Sequence, residues 1–212
     1  MKIKKLGHCC LLIEEKGVRI LTDPGNYSIT QNEIKNIDLI LITHEHADHL
    51  HIDSLKQVIK NNPKAKIITN KAVGSLLDAD KINYEVIEDG KNTKFKEILI
   101  EAIEGKHEFI YTGWKDVQNT GFFISNKLFY PGDSFKNPGK KVDILALPVA
   151  GPWCKISDAV NYALKVKPRI AFPVHDGALK VMGGNHRVPE KILPENNIEF
   201  IILEEGKERE FN

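Results

Sequence analysis

The chain has 212 residues, of which 42% are hydrophobic and 28% are charged, a composition that is typical of globular proteins and excludes an intrinsically disordered chain. The formal net charge of +1 gives no support for a nucleic-acid-binding surface, and no apolar run approaches the about 18 residues that a membrane-spanning helix needs. Because no linker or low-complexity tract divides the sequence, we predict a single domain over residues 1–212, with no membrane span and no nucleic-acid partner.

The N-terminal stretch MKIKKLGHCCLLIEE has the charged start and the apolar centre of a secretion signal. Its apolar centre is short, contains His8, and runs into Glu14 and Glu15 without a small-residue cleavage site. We therefore predict strands here and a cytoplasmic protein. The three cysteines imply no disulfide framework, and the adjacent Cys9 and Cys10 are expected to point to opposite faces of a strand as small buried hydrophobic residues.

Short apolar runs separated by turn residues predict strands along the whole chain. They are expected at Ile3–Leu6, Cys9–Glu14, Arg19–Thr22, Leu39–Thr43, Lys66–Thr69, Ile98–Ile103, Gly121–Ser125, Lys127–Tyr130, Ile144–Pro148, Ile170–Val174 and Glu199–Leu203. Helical spacing of apolar residues predicts helices at Ile52–Asn61, Lys71–Leu77 and Ser157–Val166, with Ser157 as the N-cap of the last. The mixture of elements predicts an α/β or α+β fold with at least one large sheet.

Four of the predicted strands end in a side chain that can bind or orient a metal ion. The run RILTDPG leads to Asp23, KLFYPGDS to Asp133, RIAFPVHDG to His175, and DLILITHEHADH to a group of histidines. A single aspartate after a strand is usually a turn former or a helix cap. Because sites in open α/β sheets assemble beyond the carboxyl ends of the strands, four such ends in one chain predict convergence on one rim.

The segment HEHADH contains the densest group of candidate ligands. His44 and His46 are two residues apart, so in an extended segment both imidazoles project to the same side. If the chain then turns towards the helix predicted at Ile52, Asp48 and His49 face a second position close to the first. Imidazole and carboxylate suit zinc, iron or manganese, and two ions about 3.5–4 Å apart need several protein ligands. His51 lies beyond this pattern and is expected to face solvent.

The sequence resembles the metallo-β-lactamase superfamily over nearly its whole length. The family's HxHxDH motif is matched by His44, His46, Asp48 and His49. Its early acidic residue is matched by Asp23 in ILTDPG, its bridging aspartate by Asp133 in YPGDS, and its last histidine by His175 in FPVHDG. The remaining family histidine is expected before Asp133, and His107 in IEGKHEF is the one histidine between His51 and Asp133. The start LGHCCLLIE resembles the branch with a Gly-His pair in its first hairpin, which includes the ascorbate-6-phosphate lactonase-like hydrolases.

This resemblance implies a four-layer αββα sandwich, in which two mixed sheets are flanked by helices and the metals lie at one edge. It also implies two divalent metal ions, with zinc favoured and manganese or iron as alternatives. His44, His46 and His107 would hold the first ion; Asp48, His49 and His175 would hold the second; Asp133 would bridge both. Asp23 would orient a ligand histidine, because a ligand imidazole needs its other N–H anchored.

The resemblance further implies a dinuclear metal-dependent hydrolase that uses a metal-bridging hydroxide to cleave a small ester, lactone or phosphodiester. Asp48 and Asp133 are the expected catalytic carboxylates. His8 is a candidate substrate contact, with a structural histidine as the alternative. Three other functions stay open: a di-iron oxidoreductase, a nuclease or phosphodiesterase acting on nucleic acid, and a metal-binding protein without catalysis.

Two further segments are candidates for the walls of the site. His186 and Arg187 in VMGGNHRVPE lie beside two glycines and predict a loop over the site that contacts an anionic small-molecule substrate, with a surface turn as the alternative. Trp153 and Cys154 follow a predicted strand on the same rim and are candidates for the pocket lining. The sequence leaves the substrate, the general acid and the oligomeric state open.

Overall fold

The computed structural model describes residues 1–212, apart from the side chain of Glu104. Its strands are short and follow one another along the whole chain: β1 (Lys2–Gly7), β2 (Cys10–Glu15), β3 (Val18–Thr22), β4 (Leu39–Leu41), β5 (Lys66–Thr69), β6 (Glu85–Val86), β7 (Asn92–Phe95), β8 (Ile98–Lys106), β9 (Gln118–Ile124), β10 (Leu128–Tyr130), β11 (Ile144–Pro148), β12 (Ile170–Val174), β13 (Glu199–Phe200) and β14 (Glu208–Glu210). The helices are α1 (Ile52–Asn61), α2 (Lys71–Ala79), α3 (Ile156–Val166) and α4 (Gly183–Ile192), with 3₁₀ turns at Thr30–Glu33 and Pro194–Asn196.

The strands form two seven-stranded sheets. The first has the order β14-β1-β2-β3-β4-β5-β6, and the second has the order β13-β12-β11-β10-β9-β8-β7. Both are mixed, because antiparallel hairpins lead into a parallel half: β3, β4, β5 and β6 are parallel in the first sheet, and β10, β11, β12 and β13 in the second. The predicted architecture of two mixed sheets flanked by helices is confirmed.

Three hydrophobic clusters fill the spaces between four layers. One lies between the two sheets, a second packs α1 and α2 onto the first sheet, and a third packs α3 onto the second sheet. The strand β4 shows how the sequence specifies this arrangement. Leu39 and Leu41 point into the space between the sheets, whereas Ile40 points towards the helices, so every position of this strand is buried.

The same alternation separates the two adjacent cysteines. Cys9 belongs to the cluster between the sheets and Cys10 to the cluster beneath the helices, as predicted. Both thiols are free and buried.

Two sequence-based expectations about helices are wrong. The third helix begins at Ile156 with Lys155 at the N-cap, and Ser157 lies inside its first turn, where its hydroxyl donates to Asp158 at 3.3 Å. The segment around His186, expected as a loop, is the helix α4, which carries Pro189. Among the helices of the described chain, none has the length and apolar character needed to cross a membrane.

Candidate metal centre

The predicted ligands and Asp23, the residue predicted to orient one of them, follow strands whose ends open onto one rim of the sandwich. Asp23 and His44 follow the parallel strands β3 and β4 of the first sheet, and Asp133 and His175 follow β10 and β12 of the second. His107 follows β8 on the far side of the second sheet. Residues that are far apart in sequence therefore meet at the junction of the two sheets, as the strand-end pattern predicts.

Asp133 lies at the centre of the group. Its Oδ2 is 3.0 Å from His175 Nε2, 3.2 Å from His107 Nε2 and 3.7 Å from His44 Nε2. Its Oδ1 is 3.1 Å from His49 Nε2. One carboxylate thus faces imidazoles from both predicted ligand sets, which is the placement required of a bridging group.

The ligand atoms divide into two neighbouring groups. Those of His44, His46, His107 and Asp133 all lie within 4.8 Å of one another. On the other side of Asp133, His175 Nε2 is 3.4 Å and His49 Nε2 is 3.8 Å from Asp48 Oδ2. The structure therefore brings together around Asp133 the seven residues predicted as ligands, and their division between two ions stays a prediction.

Several of the converging atoms are buried without a hydrogen-bond partner. These atoms are His49 Nε2, His107 Nε2, Asp133 Oδ1 and both ring nitrogens of His175. The histidine nitrogens that lie close to the Asp133 carboxylate therefore do not have the angles of good hydrogen bonds to it. A buried polar atom without a partner is costly, so a cluster of them facing one space fits a cation that all of them coordinate.

The far sides of the candidate ligand rings are anchored. Asp23 Oδ2 lies 2.8 Å from His49 Nδ1, and the carbonyl of Glu108 lies 2.6 Å from His107 Nδ1. Thr43 Oγ1 lies 3.0 Å from His44 Nδ1 and donates to Asp23 at 2.8 Å. Because each Nδ1–H donates to an oxygen, the Nε2 lone pairs of these three rings are left for the shared space.

Asp23 is itself fixed by further donors. The amide of Thr43 and the hydroxyl of Tyr130 donate to its carboxylate at 2.8 and 2.6 Å, and its side chain is completely buried. Asp23 therefore holds the orientation of His49, as predicted for a residue behind the ligands. Neither Thr43 nor Tyr130 was predicted for the site, since a single hydroxyl beside a strand end carries no distinctive sequence signal.

The electrostatics of the site favour a cation. Burial and the neighbouring histidines hold the pKa of His44 well below its ordinary value, so its imidazole is neutral. Burial raises the pKa of Asp133, but the surrounding histidines outweigh it and hold that pKa well below its ordinary value. Burial lowers the pKa of His49, but Asp133 and Asp23 on either side outweigh it and raise that pKa well above its ordinary value. Positive charge is therefore stabilised between these carboxylates.

His8 lies against Asp48 in a defined tautomer. The backbone N–H of Gly177 donates to His8 Nδ1 at 3.1 Å, so the ring proton is on Nε2, which donates to Asp48 Oδ2 at 3.1 Å. The side chain of His8 is 2% exposed, and neither nitrogen has a free lone pair. Although His8 is within reach of His49 and His175, this geometry makes it a positioning residue for Asp48.

Two close backbone approaches hold this arrangement together. A Cβ on Gly25 would lie 1.8 Å from the carbonyl oxygen of Asp48, and a Cβ on Gly177 would lie 2.9 Å from the Cβ of His8. Glycine therefore lets the turn after Asp23 pack directly on the HEHADH segment. His8, Asp23 and His175 all have left-handed backbones, with φ of +49°, +37° and +62°.

Trp153 and Cys9 complete the surroundings. Trp153 Nε1 donates to Asp133 Oδ2 at 3.1 Å, and its ring is 5.4 Å from that of His175, so it lines the site as anticipated. The sulfur of Cys9 lies near His49 and His175, a proximity that the sequence analysis missed. Burial raises the pKa of the Cys9 thiol to about 12.

His186 and Arg187 do not form a loop over the site. His186 is buried and lies 2.8 Å from Asp176, which also pairs with the buried Lys5. The Arg187 side chain points back to the carbonyl of Gly183 at 3.4 Å. His186 thus fixes α4 against Asp176, the residue that follows His175. We assign His186 a structural role on this basis.

The fold and this buried ligand set define a metal-dependent hydrolase of the metallo-β-lactamase superfamily. The chain belongs to this superfamily, because the family profile described as Beta-lactamase superfamily domain matches residues 2–175.

Individual relatives agree with this assignment. Protein Rv0786c of Mycobacterium tuberculosis is 33% identical over 180 residues, which cover 82% of this chain and 84% of the relative. A UPF0173 metal-dependent hydrolase of Thermoplasma acidophilum is 31% identical over 189 residues, covering 82% and 83%. The fold is shared with Igni18, a metallo hydrolase of Ignicoccus hospitalis, at a TM-score of 0.77 and 21% identity over 100% of this chain and 99% of that one. Assignment to the Gly-His branch stays a prediction.

Proposed function

We propose that this protein hydrolyses a small ester, lactone or phosphodiester with the help of two divalent metal ions, zinc being the favoured metal. One observation carries the proposal. Buried nitrogens and oxygens without hydrogen-bond partners face one shared space from both sides of Asp133. Leaving such buried atoms unpaired is costly, and a cation that all of them coordinate removes this cost.

The ligands divide between two positions. His44, His46 and His107 would hold one ion, and Asp48, His49 and His175 would hold the other, with Asp133 shared between them. Such ions lower the pKa of water towards about 7 and polarise the bond to be broken. The protein's own contribution is to fix the ligands, since Asp23, Thr43 and Glu108 anchor the rings from behind.

Asp48 is the group best placed to move a proton. It lines the open cleft and its side chain is 21% exposed, whereas Asp133 is buried beneath it. Water attacks the substrate's carbonyl carbon or phosphorus, Asp48 accepts the proton that water loses, and the same carboxyl returns it to the departing oxygen. A bond forms between the water oxygen and the carbonyl carbon or phosphorus, and the bond from that atom to the leaving oxygen breaks. The proton that water loses is the one that the leaving oxygen gains.

The surroundings support a small-molecule substrate in a cytoplasmic protein. The open cleft has a volume of about 360 Å³, near the lower end of the range for small-molecule sites. Cys9, Cys10 and Cys154 are free thiols, as expected in a reducing compartment.

The proposal is tested by elemental analysis of protein purified without added metal, together with a panel of ester, lactone, thioester and phosphodiester substrates. We expect close to two equivalents of zinc, manganese or iron and turnover of at least one oxygen ester. The variants His46→Ala and Asp133→Ala are expected to lose metal and turnover together. Full activity with unchanged metal content in either variant would reject the ligand assignment.

A further inference from the structure

The cleft over the metal centre has walls that differ sharply from its floor. The floor carries the candidate ligands, whereas the walls are formed by Tyr27, Ile110, Trp114, Pro152 and Trp153. Apart from the floor, the polar groups among the described lining residues are the Asn26 amide, the Tyr27 hydroxyl and the indole N–H groups of the two tryptophans. Substrate atoms beyond the reacting bond therefore meet mainly aromatic and aliphatic surface.

Much of this apolar surface comes from one segment, residues 108–117, which we call the aromatic loop. Phe109, Tyr111 and Trp114 on this loop are 72%, 71% and 61% exposed. Trp114 lines the cleft itself, and Phe109 and Tyr111 line an adjoining cavity that shares His46, His107, Ile110 and Trp114 with the cleft. Large exposed aromatic side chains beside a functional cleft mark a surface that becomes covered on binding. Tyr27, which is 52% exposed, faces the same cleft from the first sheet.

Hydrogen bonds hold the base of the aromatic loop in place. The amide of Glu108 donates to the carbonyl of Asp133 at 2.8 Å, and the Glu108 carboxylate accepts from the amide of Phe135 at 2.8 Å. At the other end of the loop, the carbonyl of Val117 accepts from the backbone N–H of His107 at 3.3 Å. The loop is thus tied directly to two of the candidate ligands.

Charge argues in the same direction. None of the described residues lining the cleft is a lysine or an arginine. Two lysines line the adjoining cavity: Lys115 is paired with Glu45 at 2.6 Å, and Lys106 Nζ lies 4.0 Å from Asp116 Oδ2. A carboxylate or phosphate placed away from the reacting bond would have no cationic partner in the cleft, and would lose hydration without compensation.

We infer that the protein selects uncharged esters that carry an apolar alkyl or aryl group, and that the aromatic loop, chiefly Trp114, binds that group. The inference rests on the proposed hydrolase function and specifies its substrate class. The sequence allowed an anionic substrate that Arg187 and His186 would contact. We propose an uncharged substrate instead, because Arg187 contacts the Gly183 carbonyl and His186 contacts Asp176.

The test uses purified protein of measured metal content and three 4-nitrophenyl esters, the acetate, butyrate and hexanoate. We expect kcat/KM to rise about twofold or more per added methylene, since full burial of one methylene is worth about fourfold in binding. Mono-4-nitrophenyl adipate has a carboxylate at the far end of a chain of the same length as the hexanoate. We expect at least about tenfold lower kcat/KM for the adipate.

Variants locate the effect. Trp114→Ala is expected to flatten the chain-length profile, whereas Trp114→Phe keeps most of the slope. Ile202→Ala is the matched control, because Ile202 is an exposed aliphatic side chain outside the cleft. Thermal unfolding of each variant checks that the fold is retained.

Binding can also be followed without turnover, because both tryptophans of the chain, Trp114 and Trp153, line the cleft. Titration with 4-phenylbutanamide is expected to shift the emission to shorter wavelength in the wild type, and to lose most of that shift in Trp114→Phe.

The outcomes separate the two proposals. A flat chain-length profile, or preference for the adipate that Lys115→Met abolishes, would overturn the substrate class while leaving the hydrolase in place. No turnover of any ester, lactone, thioester or phosphodiester by metal-loaded protein would count against the proposed function itself.

Discussion

The metal-binding floor and the aromatic loop border the same cleft, but they are held in opposite ways. On the floor, His44, His49 and Asp133 are buried, and the imidazoles are anchored from behind. The aromatic loop is fixed at its base but leaves Phe109 and Tyr111 largely exposed. Under the two proposals above, reactivity belongs to the packed core and selectivity to a segment whose side chains lie outside it.

The strongest way to break this comparison is to remove a ligand from the floor. His46→Ala should lose the first metal and lower turnover by at least about a thousandfold, because the cation supplies most of the activation of water. Metal content and kcat measured on the same preparation check this.

His51→Ala is the matched control for that experiment. His51 lies in the same segment, but its Nδ1 lies 2.9 Å from the Ser54 hydroxyl. Metal content and kcat are expected to stay within about twofold of wild type. Equal losses in both variants would show that the segment fails as a whole and that His46 has no special part.

A smaller effect is expected when an anchor is changed and the ligands are kept. Asp23→Asn places an amide nitrogen against donors from His49, Thr43 and Tyr130, so His49 loses its fixed orientation. Metal affinity should fall by about 10- to 100-fold, as is usual when a partner behind a ligand is removed. Competition with a chelator measures this affinity.

Tyr130→Phe serves as the comparison for Asp23→Asn. It removes one donor to Asp23 and leaves the carboxylate and its hydrogen bond with His49 in place. The loss of metal affinity should therefore be clearly smaller than in Asp23→Asn, and an equal or greater loss would contradict the anchoring role.

Replacement of His8, which contacts Asp48 without being a predicted ligand, should have an effect of intermediate size on turnover. His8→Ala removes the donor to Asp48, and kcat is expected to fall by about tenfold or more, with a smaller change in KM. His8→Gln retains an N–H donor and should recover part of the loss. A change confined to KM, with no rescue by glutamine, would instead indicate direct contact with the substrate.

The smallest effects should come from the aromatic loop when stability is measured. Tyr111→Ser is expected to change the free energy of unfolding by less than about 0.5 kcal/mol, because the side chain is mostly in solvent. Phe122→Ala, at a fully buried position between the sheets, should cost about 3–5 kcal/mol. Urea denaturation of both variants measures the contrast, and similar losses would mean that the loop is part of the core.

The floor could be predicted from sequence because its chemistry is local. His175 directly follows a buried strand, and the HEHADH segment and Asp133 each begin three positions after the last residue of one, so residue type and strand end nearly coincide. His107 was identified by its position between the motif and Asp133, and it lies where expected. The ligand roles themselves stay predictions until metal is measured.

The remainder depends on tertiary packing that sequence spacing does not reveal. The helix α4 was missed because Gly183, Gly184 and Pro189 all disfavour helix, and its docking by His186 onto Asp176 is visible only in the fold. The edge strands β6, β7 and β14 were missed because they are short and largely polar. The sequence did not predict that the aromatic loop lies beside the cleft, since its residues do not indicate which part of the protein surface the loop packs against.

The left-handed backbones of His8, Asp23 and His175 have a consequence for how this protein can evolve. Non-glycine residues held in sparsely populated backbone regions cost of order 1–3 kcal/mol each, which the surrounding packing has to offset. Glycine at any of these positions would relieve the strain but remove a group from the centre. Selection for heat resistance alone would therefore push against selection for turnover at these three residues, and a thermostabilised descendant should keep them only if activity is screened as well.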